Sequence, residues 1–256
     1  MQPEISVGSL VGLPTYFVVL SLVYSFLIFS AWKWAQICGF PQDHALNLAL
    51  LSIVSGVVGA RVFHVLYESP DYYLLFPNDA FRLWQGGFVF YGGFTAALAS
   101  CWIYLRVHRL NFWRWADLAA PLCAMGVGLG RIACFMAGCC FGKTCDLPWA
   151  FHGRHPVQLY ITFLELGYAA LLFRLSLRRP TQAVQSIQVK LLALDGSLFW
   201  LWILLHSFSR LWMEWLRADD RGPLVGGFTI STWISWFLAG LALAWFGVNG
   251  LRRRAS

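Results

Sequence analysis

The chain has 256 residues, of which 59% are hydrophobic and only 12% charged, and it contains 14 Trp. That leaves too little polar surface to clothe a soluble globule of this length, so the composition excludes one and predicts an integral membrane protein. The net charge of +7 calls for no nucleic-acid partner, because it collects largely in short connections between apolar runs, as a collar attracted to anionic lipid.

Runs near the ~20 residues that cross ~30 Å of hydrocarbon predict an all-α membrane protein of seven transmembrane helices, a single polytopic domain over 1–256. The first, about 15–35, carries Tyr16 near its start. The ten residues before it hold no basic stretch, so it reads as a retained helix and not a cleaved signal. The second, about 46–67, contains Gly59, Ala60 and Arg61, with His64 and Glu68 following. The third, about 88–107, opens on Gly86-Gly87 and Gly92-Gly93 around Tyr91. Such glycines permit close backbone approach, by a substrate or by a neighbouring helix.

The fourth, about 116–137, contains Gly130-Arg131. A charge at the bilayer centre costs about 3 kcal/mol, so Arg131 calls for a partner, a watery cavity or an anionic ligand unless it snorkels to the headgroups. The fifth, about 157–178, follows Arg154-His155-Pro156 and begins with Gln158-Leu159-Tyr160. The sixth, about 197–215, bears His206, Arg210, Glu214 and Arg217, one polar stripe at helical spacing. That stripe is either an internal Arg210–Glu214 pair that fixes packing or part of a site. The seventh covers about 225–247. Trp32, Trp34, Trp84, Trp102, Trp113, Trp115, Trp149 and Trp245 fall near span ends, where amphipathic rings favour the headgroup region.

Alternate connections carry Lys33; Arg106, Arg109 and Arg114; Arg174, Arg178, Arg179 and Lys190; and Arg252, Arg253 and Arg254, eleven of the 19 basic residues. The opposite set mixes signs, with Glu68, Asp71, Asp79 and Arg82, then Lys143, Asp146 and Arg154, then Asp219, Asp220 and Arg221. The positive-inside bias then predicts a periplasmic N-terminus and a cytoplasmic C-terminus. Arg61, Arg131 and Arg210 outnumber nearby carboxylates, which predicts an electropositive interior that attracts an anion. The abundant membrane anion is a phospholipid headgroup, and the planar guanidinium fork suits its phosphate.

Several stretches together resemble the bacterial prolipoprotein diacylglyceryl transferase family: Gly59-Ala60-Arg61, Trp84-Gln85-Gly86-Gly87 through Tyr91-Gly92-Gly93, Gly130-Arg131 through Gly138 and Gly142, Asp146-Leu147-Pro148-Trp149, Arg154-His155-Pro156 with Gln158-Leu159-Tyr160, and Arg210 with Glu214 and Arg217. The resemblance implies a multi-pass enzyme of the bacterial inner membrane, expected to be monomeric and to need no cofactor or metal. It would move the diacylglyceryl group of phosphatidylglycerol onto the lipobox cysteine thiol of a preprolipoprotein signal peptide, releasing glycerol phosphate. On this resemblance Arg131 and Arg210 handle the phosphate and Glu214 orients Arg210. Tyr16, Arg61, Gly92, Gly93, Gly142, Arg154, His155, Gln158 and Tyr160 fall at positions expected to bind substrate.

The chain departs from the family pattern in two places. Asn and Glu positions after the Gly-Arg pair hold Cys134, Ala137 and Cys139, and a common His and Tyr are replaced by Tyr91 and His206. A neutral imidazole accepts a proton near neutral pH, so His206 is the expected base for the acceptor thiol, with Tyr91 a donor to a headgroup oxygen. The departures leave open a paralogue acting on a different lipid or acceptor. Cys134, Cys139, Cys140 and Cys145 lie within twelve positions. Their spacing is not a common zinc pattern, so no metal is expected there. A disulfide, a reactive thiol at Cys134, Cys139 or Cys140, and inert buried residues all stay open, and with them a membrane thiol-redox protein.

Overall fold

The computed structural model describes residues 4–7, 10–82, 86–177, 194–218 and 225–252. Trp84 and Gln85, Arg178, Arg179 and Lys190, Asp219, Asp220 and Arg221, and Arg253 and Arg254 therefore lie outside the described residues.

The predicted helical character holds except at the start of the chain, where β1 (Glu4–Val7) and β2 (Leu10–Pro14) pair antiparallel, Glu4 opposite Pro14 and Val7 opposite Leu10. The segment is too short and too close to a turn for hydropathy to reveal it. There follow α1 (Thr15–Ile37), α2 (Gln42–Phe63), a π-helical turn His64–Glu68, α3 (Pro70–Leu75), a 3-10 turn Pro77–Phe81, α4 (Phe90–Val107), α5 (Phe112–Ala137), α6 (Val157–Leu177), α7 (Ser197–Leu216) and α8 (Ile230–Arg252). A long helix thus stands at each predicted span. Five of them, α1, α2 continued to Tyr67, α5, α6 and α8, are long and apolar enough to cross a membrane. Their outward faces suit lipid and not water: Leu22, Phe163 and Phe237 are each at least 65% exposed.

The chain forms two compact units, residues 28–115 on one hand and residues 1–27 with 116–256 on the other. In the first, α2 and α4 pack antiparallel along a seam of small residues. A Cβ on Gly59 would come within 2.3 Å of the Ala96 Cβ, one on Gly92 within 2.4 Å of Phe63, and one on Gly93 within 2.8 Å of the Gly56 carbonyl. Without side chains the two backbones meet directly, which is how apolar helices gain packing energy in lipid. At the other end of the seam Tyr104 Oη lies 2.8 Å from His44 Nδ1 and accepts from Asn47 Nδ2 at 3.0 Å.

In the second unit α5, α6 and α7 share a core of Ala120, Ala124, Ala169, Leu172 and Leu198, with Val157, Ile161 and Met213 beneath it. Asp117, fully buried on α5, accepts the Gly196 N–H at 2.7 Å and the Phe199 N–H at 2.9 Å. A carboxylate there satisfies two of the orphan donors that every helix start leaves and complements the dipole of α7. Gly196 takes φ of 92°, a left-handed conformation suited to glycine.

Candidate active site

The second unit gathers most of the predicted site residues. The loop after α5 doubles back as a small hairpin: Thr144 and Phe151 both bridge to Arg154, and the turn is made by His152 and Gly153 at φ of 50° and 67°. The ring of Phe151 stacks on Phe141 and meets Phe135 edge-on, closing the loop onto the end of α5. Gly142 donates to the His155 carbonyl at 2.9 Å and Lys143 to the Leu216 carbonyl at 2.8 Å, which ties the hairpin to the end of α7. A Cβ on Gly142 would fall 2.5 Å from the Leu216 oxygen and 2.7 Å from Val157. Gly142 is thus required by backbone approach. The Arg154 side chain is exposed.

At the foot of the hairpin Tyr160 Oη accepts the Trp149 indole N–H at 2.9 Å and lies 3.4 Å from His155 Nδ1. One hydroxyl therefore joins the three motif stretches that carry Trp149, His155 and Tyr160. Gln158, wholly buried, donates through Nε2 to the Cys139 carbonyl, while its Oε1 meets no partner among the described residues. A buried acceptor left unmade costs about 1–3 kcal/mol, so this oxygen is poised for a donor.

Cys134, Cys139 and Cys140 converge, their Sγ atoms all within 4.8 Å of one another. No disulfide joins any cysteine among the described residues. The Cys140 thiol is held below the ordinary range, at about 5, chiefly by hydrogen bonding from Cys134, with Cys139 and the charges of Arg217 and Arg131 acting the same way against desolvation. Burial pushes Cys139 in the opposite direction. Tyr16 lies within the field of the same Arg131 and of Cys134 and Cys139. Tyr16, Arg131 and the thiols thus form one neighbourhood, and the charge of Arg217 reaches Cys140.

On α7 the polar stripe does face inward. His206 Nδ1 lies 2.6 Å from Oε1 of Glu165 on α6, whose side chain is fully buried. The other oxygen, Oε2, accepts the Trp202 indole N–H at 3.3 Å. One carboxylate therefore fixes two side chains a turn apart. Arg210, one turn beyond His206, is partly buried. Glu214 accepts the Thr229 hydroxyl at 2.7 Å.

The first unit holds Arg61, Tyr91, Gly92 and Gly93. Arg61 was expected to face an anion. Its guanidinium is buried and all three nitrogens donate to backbone carbonyls: Nε to Ala80 at 2.9 Å, Nη2 to Asp79 at 2.7 Å and Arg82 at 3.3 Å, and Nη1 to Gly86 and Gly87. It ties down the loop between α3 and α4. Gly92 and Gly93 were expected at a substrate, and they form the α2–α4 seam, where no side chain fits. Tyr91 is 41% exposed at the start of α4.

The profile of the prolipoprotein diacylglyceryl transferase family matches residues 12–247. The chain belongs to this family. A phosphatidylglycerol–prolipoprotein diacylglyceryl transferase of Bordetella avium (strain 197N) is 33% identical over 210 residues, 77% of this chain and 75% of that protein. Proteins of the same name from Geobacter sulfurreducens (strain ATCC 51573 / DSM 12127 / PCA) and Clostridium tetani (strain Massachusetts / E88) are 30% and 27% identical, the first covering 79% of this chain and 78% of its own, the second 84% and 85%.

In this member of the prolipoprotein diacylglyceryl transferase family, Glu165 is the residue that sequence reasoning missed. The signal was present, since a carboxylate inside an apolar run needs a partner at that depth. Asp117 went unnoticed in the same way, near the start of the fourth predicted span.

Proposed function

We propose that this chain transfers the diacylglyceryl group of phosphatidylglycerol to the lipobox cysteine thiol of a preprolipoprotein, in a bacterial inner membrane that it crosses seven times with its C-terminus cytoplasmic. The observation that carries the reading is an imidazole and a guanidinium on one face of one helix: His206, held by Glu165 at 2.6 Å, and Arg210 a turn away.

In the reaction the acceptor sulfur forms a bond to the terminal glyceryl carbon as the bond from that carbon to the phosphate oxygen breaks. The thiol proton passes to His206 Nε2, and glycerol phosphate leaves with the electron pair. Glu165 accepts from His206 Nδ1 and so keeps Nε2 the basic nitrogen, stabilising the imidazolium that forms. Arg131 and Arg210 meet the charge that grows on the departing phosphate, where a fixed cation acts most strongly because water is excluded. The unpartnered oxygen of Gln158 is an acceptor for a hydroxyl of the glycerol headgroup, and the Tyr160 hydroxyl, steadied by Trp149, is a donor to it. Relatives named for phosphatidylglycerol and prolipoprotein support this choice of substrates.

The test is transfer from phosphatidylglycerol vesicles to a lipobox peptide by Arg131→Ala and Arg210→Ala, each compared with the corresponding Lys variant. Removing one such donor costs about 3 kcal/mol, roughly a hundredfold in rate, and Lys should restore little because it lacks the planar fork. Near-normal turnover in both Ala variants would remove phosphate handling from these residues.

A further inference from the structure

Three soft ligand atoms sit together in a place where the transfer reaction as derived above uses none of them. Cys134 begins the last full turn of α5, Gly138 then takes φ of 78° and Cys140 takes φ of 65°. The left-handed Cys140 has no glycine's freedom, so its conformation is held by its surroundings. Its effect is to turn two adjacent cysteines toward a common point. The Cys139 and Cys140 Sγ atoms lie 3.6 Å apart, and Cys134 Sγ joins them inside the 4.8 Å limit. Gln158 fixes the turn through the Cys139 carbonyl.

We propose that Cys134, Cys139 and Cys140 form a binding site for a thiophilic metal ion, copper(I). A metal–sulfur bond of about 2.3 Å sets neighbouring sulfurs about 3.8–4.0 Å apart in tetrahedral or trigonal coordination, so closing the site needs movements of less than about 1 Å. Sulfur-only ligation selects soft ions, and the group contains no His or carboxylate to complete a four-ligand zinc cage. Three thiolates satisfy copper(I) by themselves. Binding releases to solvent the protons of those thiols not already ionised and leaves a cluster of charge −2, which Arg131, three residues before Cys134, and Arg217, whose field reaches Cys140, are placed to offset. A disulfide is a poorer use of the same atoms. Adjacent cysteines across a trans peptide have Cα atoms only about 3.8 Å apart, below the span a relaxed disulfide takes, and any pairing leaves one thiol over.

The site is tested on purified, fully reduced protein in detergent under anaerobic conditions, titrated with copper(I) against a chromophoric copper(I) chelator and, in a parallel arm, with zinc(II) against a zinc dye. The expected result is one copper(I) per chain with sulfur-to-copper charge-transfer absorption in the near ultraviolet. Stoichiometric binding should vanish in the Cys139→Ser/Cys140→Ser and Cys134→Ser variants, with helical content by circular dichroism unchanged, and should survive Cys145→Ser and Cys38→Ser. Binding by the wild type no greater than by the triple Ser variant overturns the proposal, and so does tight zinc binding with no copper(I) taken up. Formation of a disulfide in place of metal uptake would also overturn it. Loading should in addition slow diacylglyceryl transfer by offsetting Arg131, a consequence that rests on the function proposed above, whereas the stoichiometry does not.

Discussion

Glu165→Gln is the most informative single change, because it keeps the size of the side chain and removes only its charge and one of its acceptors. In the native protein both carboxylate oxygens are used, Oε1 at 2.6 Å from His206 Nδ1 and Oε2 by the Trp202 indole at 3.3 Å. An amide offers one oxygen, so either the imidazole or the indole loses its acceptor inside a fully buried setting. Exchanging a hydrogen bond to a charged group for a neutral one removes about 1–2 kcal/mol. That is a factor of about 5–30. If Glu165 acts by orienting His206 and stabilising its protonated form, the loss appears in kcat, with KM for phosphatidylglycerol little changed, since the interaction strengthens only in the transition state. His206→Gln should fall further, by about a hundredfold. The double variant should be no slower than His206→Gln alone, because the carboxylate acts only through the imidazole. Initial rates of peptide lipidation for the four proteins decide the matter. A Glu165→Gln enzyme with native kcat and a lowered thermal midpoint would make Glu165 purely structural, and multiplicative losses in the double variant would separate it from His206.

Gly59→Ala places a methyl 2.3 Å from the Ala96 Cβ, so the α2–α4 seam must open and the thermal midpoint in detergent should fall by an amount equivalent to about 1–3 kcal/mol. Gly240→Ala, with nothing within 4 Å of the added carbon, should not lower it, and equal effects of the two would refute the seam argument. Arg61→Ala strips the donors from the carbonyls of Asp79, Ala80, Arg82, Gly86 and Gly87, so amide exchange over residues 76–82 and 86–89 should rise sharply; retained protection would instead return Arg61 to the phosphate. A reporter active only in the cytoplasm, fused after Ser256, should be active, and an inactive fusion would overturn the orientation.

Hydropathy made the helices legible because apolar length is what a bilayer demands, and all the predicted spans coincide with helices to within a few residues. The N-terminal hairpin was not legible, since strands of four and five residues leave no periodicity to read. Among the site residues, the motif stretches carrying Trp149, His155, Gln158 and Tyr160 were readable one by one, but only the fold brings Trp149 and His155 onto one hydroxyl. Arg61 was legible only as an arginine in need of acceptors. An arginine near membrane depth needs acceptors, and sequence cannot tell a phosphate from five loop carbonyls. The glycines are ambiguous likewise, because close approach by a helix and close approach by a ligand demand the same missing side chain. Cys134, Cys139 and Cys140 were visible as a cluster, whereas their convergence depends on the left-handed turn at Gly138 and Cys140, which no spacing rule encodes.

Mass spectrometry of a lipobox peptide after incubation with the purified protein and isotopically labelled phosphatidylglycerol tests the central claim most directly. The expected product is a diacylglyceryl thioether on the peptide cysteine, carrying the labelled glyceryl carbons, with glycerol phosphate released in equal amount. An unmodified cysteine, or a labelled peptide with no glycerol phosphate released, would contradict it.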